Sequence, residues 1–131
     1  MKKILLIAII GMMMGACQES LEKQAERTMR EYSKKNCPVP LGETIVLDSC
    51  RFEAATHTMH YFYRFMGMMD NDSLIGARSE EMRQTLLNAL KNEMKTRTYK
   101  EAGYNFQYTY FSEKEQQKML LDVVLTKEDY Q

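Results

Sequence analysis

From residue 104 to residue 110 the chain reads Tyr-Asn-Phe-Gln-Tyr-Thr-Tyr, an aromatic ring at every second position with a polar side chain between. Only an extended strand sends residues of that period to one side. This segment therefore lies in a sheet, its rings under other elements and its amides and hydroxyl turned the other way. Met119, Leu121, Val123 and Leu125 then alternate with Lys118, Leu120, Asp122 and Val124, and Ser112-Glu113-Lys114-Glu115 supplies the turn, which predicts an antiparallel hairpin. Thr44 to Phe52 and Thr56 to Met66, linked by Glu53-Ala54-Ala55, predict another. Its second strand presents His57, Met59, Tyr61, Tyr63 and Phe65 to the core and Thr58, His60, Phe62 and Arg64 to the opposite face. Its first strand offers two apolar sets, Ile45/Leu47 and Val46/Cys50/Phe52, which a slip of one residue would exchange.

Two helical patterns separate the strands. Ser20 is a good N-cap, and Leu21, Ala25, Thr28, Met29 and Tyr32 recur at helical spacing to about Asn36, before Pro38 and Pro40 forbid continuation and Pro40-Leu41-Gly42 turns the chain. Gly67 to Arg78, with Asp70-Asn71-Asp72-Ser73 in its middle, reads as the longest loop. A second helix starts at Ser79 and buries Met82, Leu86, Leu87, Leu90 and Met94; a break is expected around Thr96 to Tyr99, and Gly103 ends the segment. The order α-β-β-α-β-β predicts an α+β two-layer sandwich, a four-stranded antiparallel sheet with two helices on one face. The other face then carries His60, Phe62, Arg64, Thr109, Phe111, Leu120, Asp122 and Val124, a partly apolar candidate contact face.

Residues 1–16 stand apart from this pattern. Lys2 and Lys3 precede thirteen uncharged residues, Ile4 to Ala16, the charged start, apolar middle and small-residue end of a secretory signal. The stretch falls short of the roughly 20 residues that span a bilayer core. Met14-Gly15-Ala16-Cys17 resembles the lipobox of bacterial lipoproteins, in which the cysteine is acylated and becomes the new N-terminus. The resemblance implies a signal peptide over 1–16, a single domain over 17–131 and a membrane anchor on Cys17; Gln18 after the cysteine implies sorting to the outer membrane. Loss of Lys2 and Lys3 takes the balance from 18 basic against 18 acidic side chains to 16 against 18. No basic surplus is left for a phosphate backbone, so no nucleic-acid partner is expected. A mean hydropathy of −0.49 excludes a polytopic membrane protein.

Chemistry-bearing residues are few. Cys37 and Cys50 form an even pair in an exported chain, a candidate disulfide or two buried thiols. A cysteine nucleophile, Cys50 with His57 or His60 as base, would make the protein an envelope hydrolase, but alternation sends the two histidines to opposite faces of one strand and no orienting third group is evident. The same alternation denies a zinc site. Asp70-Asn71-Asp72-Ser73 lacks the glycine and closing glutamate of a calcium loop, so neither metal nor other cofactor is expected. The aromatic strand reads as core rather than as a stacking platform, and Met66, Met68 and Met69 as core filling rather than a contact patch.

Asn36-Cys37-Pro38, Leu47-Asp48-Ser49, Gly103-Tyr104-Asn105-Phe106-Gln107-Tyr108-Thr109-Tyr110 and Thr126-Lys127-Glu128-Asp129-Tyr130 together resemble an uncharacterised family of small exported domains of Gram-negative bacteria, often lipoproteins. The resemblance covers about residues 20 to 130, implies the α+β fold and brings no catalytic residues. The family pattern implies an apolar residue where Cys50 stands, which favours a core position there. The expectation is a lipid-anchored binding module of the cell envelope with no catalytic activity, its partner an envelope protein or a second copy meeting the open sheet face. Binding of a glycan or hydrophobic compound on that face is the alternative.

Overall fold

A computed structural model describes residues 19–131; the predicted signal segment 1–16, the lipobox and Cys17 lie outside the described residues. The elements are α1 (Leu21–Asn36), β1 (Val39–Pro40), β2 (Ile45–Glu53), β3 (Thr58–Phe65), α2 (Asp72–Asn92), α3 (Arg97–Glu101), β4 (Asn105–Ser112), β5 (Met119–Leu125) and α4 (Lys127–Tyr130). The class is α+β as expected, but the sheet has five strands rather than four and the described residues hold four α-helices rather than two.

Local chemistry accounts for most of the boundaries. Ser20 Oγ accepts from the Lys23 amide at 3.2 Å, Glu22 sits in the first turn of α1, and Lys34 and Lys35 sit in its last, each charge on the end of the helix dipole that favours it. The start of α2 corrects the expected loop over 67–78: Asn71 Oδ1 accepts from the Leu74 amide at 3.0 Å, so the polar run is a helix cap and α2 begins at Asp72, not Ser79. The break falls earlier than expected, after Asn92, and Met94 is 73% exposed rather than part of the buried stripe. Gly103, at φ +78°, ends the segment after α3, a backbone conformation that side chains disfavour.

The strand order is β1-β2-β3-β4-β5, and the β3–β4 pairing is parallel, which corrects the all-antiparallel expectation. The reason is the connection: α2 and α3 carry the chain back to the starting end of β3, so β4 runs beside it in the same direction, as a helical crossover allows and a hairpin does not. β1 pairs Val39 with Leu47 and Pro40 with Val46, and its proline is tolerated at the sheet edge.

Two bulges settle which residues face the core. In β2 the register shifts between Leu47 and Ser49, so Ile45 and Leu47 share a face with Cys50 and Phe52; of the two competing apolar sets only Val46 is misplaced, for it pairs with Arg64 on the opposite face. In β5 the register shifts between the partners of Tyr110 and Phe111, which turns Met119 to the face of Phe111 and leaves it 53% exposed. Leu120 correspondingly packs against the core instead of joining the open face. His57 is a further correction, for it occupies a left-handed turn at φ 49° before β3 begins and belongs to no core stripe.

Both long helices lie on one face. Ala25 and Met29 of α1 and Ile75 and Leu90 of α2 join a single core with Met59, Phe65, Phe106, Val123 and Leu125. Between the helices β3 and β4 stack their rings pairwise, Tyr61 on Tyr108 at 5.4 Å and Tyr63 on Tyr110 at 4.6 Å between centroids. Burial pushes the phenol of Tyr110 up to about 12 and those of Tyr61, Tyr63 and Tyr108 well above the usual tyrosine range.

Candidate functional site

The opposite face of the sheet carries a continuous chain of polar contacts across four strands. His60 Nδ1 lies 2.8 Å from Glu53 Oε1, and His60 Nε2 lies 2.7 Å from Thr109 Oγ1. Thr109 in turn donates to Asp122 Oδ1 at 2.7 Å, and Gln107 Nε2 donates to both oxygens of Asp122 at 2.9 and 3.1 Å. Arg51 donates to Glu53 Oε2 at 3.1 Å while its guanidinium sits 4.9 Å from the centre of the Phe62 ring, which stacks on His60 at 4.0 Å. Register explains the convergence, since Arg51 pairs with His60, Phe62 with Thr109, and Thr109 with Asp122.

Counting protons tells what this chain can do. Thr109 has one hydroxyl hydrogen, and it goes to Asp122, so the oxygen accepts from His60 Nε2; Glu53 needs a donor from Nδ1. Every contact is then satisfied, with the imidazole set between the Glu53 carboxylate and the Thr109 hydroxyl. A hydroxyl, an imidazole and a carboxylate in series also describe a hydrolytic triad, but there the hydroxyl gives its proton to the imidazole. Here it points away, and Thr109 is only 2% exposed. The network is suited to fixing side chains, not to activating a nucleophile. Thr109→Val would leave His60 and Asp122 each short of a buried partner, and a loss of about 1–3 kcal/mol is expected in urea unfolding.

Burial works against ionisation of Glu53, but hydrogen bonds from His60 and Arg51 outweigh it and hold the carboxyl below its ordinary value of 4.5. Asp70, which accepts from Ser112 Oγ at 2.6 Å and the Lys114 amide at 2.9 Å, is also lowered, mainly by the Ser112 bond. A carboxyl that binds its proton less readily when folded stabilises the fold above its unfolded pKa, and that contribution is lost as pH falls through the folded value. Stability should therefore decline as pH drops below 4.5, and Glu53→Gln should flatten that acid limb in unfolding curves taken at successive pH values.

Of the eight candidate contact residues, His60, Phe62, Arg64, Thr109, Phe111, Asp122 and Val124 share this face by register. His60 and Thr109 are buried within it, and Arg64 binds Asp48 at 3.2 Å. Val124 and Met119 are its exposed apolar side chains, at 40% and 53%. Glu53, expected in a link, belongs to the network on β2, as do Arg51 and Gln107, which are not among the candidate contact residues. Their parity with His60 and Thr109 is the clue that would have found them.

Cys50 does not meet a histidine. Its thiol donates to the Met29 carbonyl at 3.5 Å on the helical side of the sheet, while His60 faces the other side and His57 binds Glu22 at 2.9 Å and stacks on Tyr104 at 5.0 Å. The backbone amides of Cys37 and Cys50 both bond Ser33, at the end of α1, and both thiols are free. A recess of about 400 Å³ lies between α1 and β2, lined by Arg30, Ser33, Lys34, Cys50, Arg51 and Phe52. Among the described residues no three metal-ligating side chains cluster.

A family model described as a domain of unknown function, DUF8479, matches residues 20–121. The chain belongs to the DUF8479 family. No curated protein matches it. Among solved structures, the DUF8479 chain is similar to a candidate secreted protein of Pseudomonas aeruginosa, with a TM-score of 0.68 at 10% identity over 87% of this chain and 100% of the other. The type II secretion system pilotin EpsS of Vibrio vulnificus matches with a TM-score of 0.64 at 14% identity over 85% and 92%, and the pilotin AspS of Vibrio cholerae with 0.60 at 16% over 88% and 97%. At such identities the likeness is one of fold.

Proposed function

We propose that this DUF8479 protein is a lipid-anchored interaction module of the cell envelope. Acylated Cys17 holds it at the outer membrane, and the open face of its sheet engages a second envelope protein without catalytic activity or cofactor. The observation that carries this reading is the one-sided sheet. Both long helices pack on one face, and on the other a fixed polar network borders the exposed Val124 and Met119. A mixed surface of this kind suits a protein partner better than a glycan or a hydrophobic compound, which would need a concave site. The fold shared with two type II secretion pilotins supports a partner that belongs to an envelope secretion assembly.

Native electrophoresis of mildly solubilised envelopes tests this. The wild-type protein should migrate with a larger complex containing a different envelope protein. Val124→Arg should release it to the monomer position, while Leu41→Arg, also at an exposed apolar residue, should not. Migration of wild type as a monomer, or as a complex of itself alone, would refute the partner assignment.

A further inference from the structure

We infer that Cys37 and Cys50 are joined by a disulfide in the mature protein, and that this bond staples α1, the helix nearest the membrane anchor, to the sheet. The inference rests on the envelope location proposed above. The two cysteines converge on one residue of the last turn of α1: the Cys37 amide donates to the Ser33 carbonyl at 3.1 Å, and the Cys50 amide donates to Ser33 Oγ at 3.2 Å. Both thiols are free in the structure, Cys50 buried with its Sγ donating to the Met29 carbonyl of the same helix at 3.5 Å and Cys37 half-buried at the helix end. The chain between them is held in place independently. Val39 pairs with Leu47, and the turn between β1 and β2 is closed by the Leu41 amide donating to the Ile45 carbonyl at 2.9 Å. The backbones that carry the two thiols are thus both fixed at Ser33, and closing the bond there calls on the side chains.

The staple has something to hold. Of the residues of α1 only Ala25 and Met29 are fully buried, so the helix that follows the anchor has a modest apolar grip on β2. A force on the anchor reaches the sheet through that grip, and a covalent link at the far end of the helix would carry it into β2.

The chemistry has a natural order. Cys50 is buried, and burial with the neighbouring Cys37 pushes its thiol up to about 11, whereas Cys37 is partly exposed. Cys37 as thiolate attacks a sulfur of an external disulfide donor of the dithiol–disulfide oxidoreductase class, expelling one donor thiolate and forming a mixed disulfide. Cys50, losing its proton, then attacks Cys37 Sγ and expels the second donor thiolate. Two thiols lose two protons and two electrons, and the donor is reduced to a dithiol.

The test uses full-length protein extracted from envelopes, acid-quenched, denatured and alkylated with and without prior reduction, then weighed intact. Both thiols should resist alkylation until reductant is added. Hydrogen exchange should then show α1 amides exchanging at least about tenfold faster after reduction, with β3 and β4 unchanged. Alkylation of both thiols without reductant would overturn the bond, and a bond whose reduction leaves α1 exchange unaltered would overturn the staple. Incubating the reduced protein with oxidised glutathione separates the premises. Closure there, with free thiols in the envelope sample, faults the oxidising location and with it the proposed function; failure to close faults the geometry alone.

Discussion

Phe106→Ala is expected to lower the unfolding free energy by about 3–5 kcal/mol, a large share of the roughly 5–15 kcal/mol that holds a domain together. Phe106 is fully buried on β4, between Met59 of β3 and Leu125 of β5, which are 2% and 0% exposed. Its ring meets the edge of Tyr130 at 5.8 Å and 81°, and the Tyr130 hydroxyl donates to the carbonyls of Tyr104 at 2.8 Å and Lys100 at 3.2 Å. One truncation thus opens a cavity at the point where α4, α3 and the two parallel strands meet, and neighbours already tied by backbone bonds cannot collapse into it. Urea unfolding followed by circular dichroism gives the value directly. Met68→Ala, at a side chain 84% exposed, should change stability by less than about 0.5 kcal/mol in the same assay.

Cys17→Ser should move the protein completely from the membrane fraction to the soluble fraction without disturbing the fold. Acyl chains contribute about 0.8 kcal/mol for each buried CH₂, so two or more hold a protein on a bilayer effectively for good, and nothing else in the described chain substitutes for them. No described helix is long and apolar enough to cross a membrane. The family match begins at residue 20, after the cysteine, so the released domain should keep its circular dichroism spectrum and unfolding midpoint. Fractionation by high-speed centrifugation, with detection in pellet and supernatant, reads the outcome. A Cys17→Ser protein that still sediments with membranes in salt-washed samples would remove the anchor from the account.

How far the sequence could be read depended on the range of the interaction concerned. The aromatic alternation of β4 and the polar parity of Thr109 are local, and both were legible. The N-cap at Ser20 and the glycine at 103 were equally local. What escaped was set by distant partners. The parallel pairing of β3 with β4 depends on where the long α2–α3 connection returns the chain, and a strand's own alternation is the same for either direction. The bulge beside Asp48 could not be read from β2 alone, yet the two competing apolar sets there, Ile45/Leu47 and Val46/Cys50/Phe52, were its signature, with Val46 the one residue they misplace. The second bulge exchanged Met119 and Leu120 for the same reason. Asn71 and Asp72 looked like a loop because a cap and a turn use the same residues. His60 was placed on the correct face, but its partners Glu53 and Thr109 lie on other strands and emerged only with the register.

Site-specific photo-crosslinking in intact cells would catch the proposed meeting of the open sheet face with another envelope protein. A photoreactive residue at Val124 or Met119, both exposed on that face, should give one shared adduct with a single different envelope protein. The same residue at Tyr32, exposed on α1, should give no such adduct. Equal adducts from all three positions, or none from the face while Tyr32 yields one, would contradict the account.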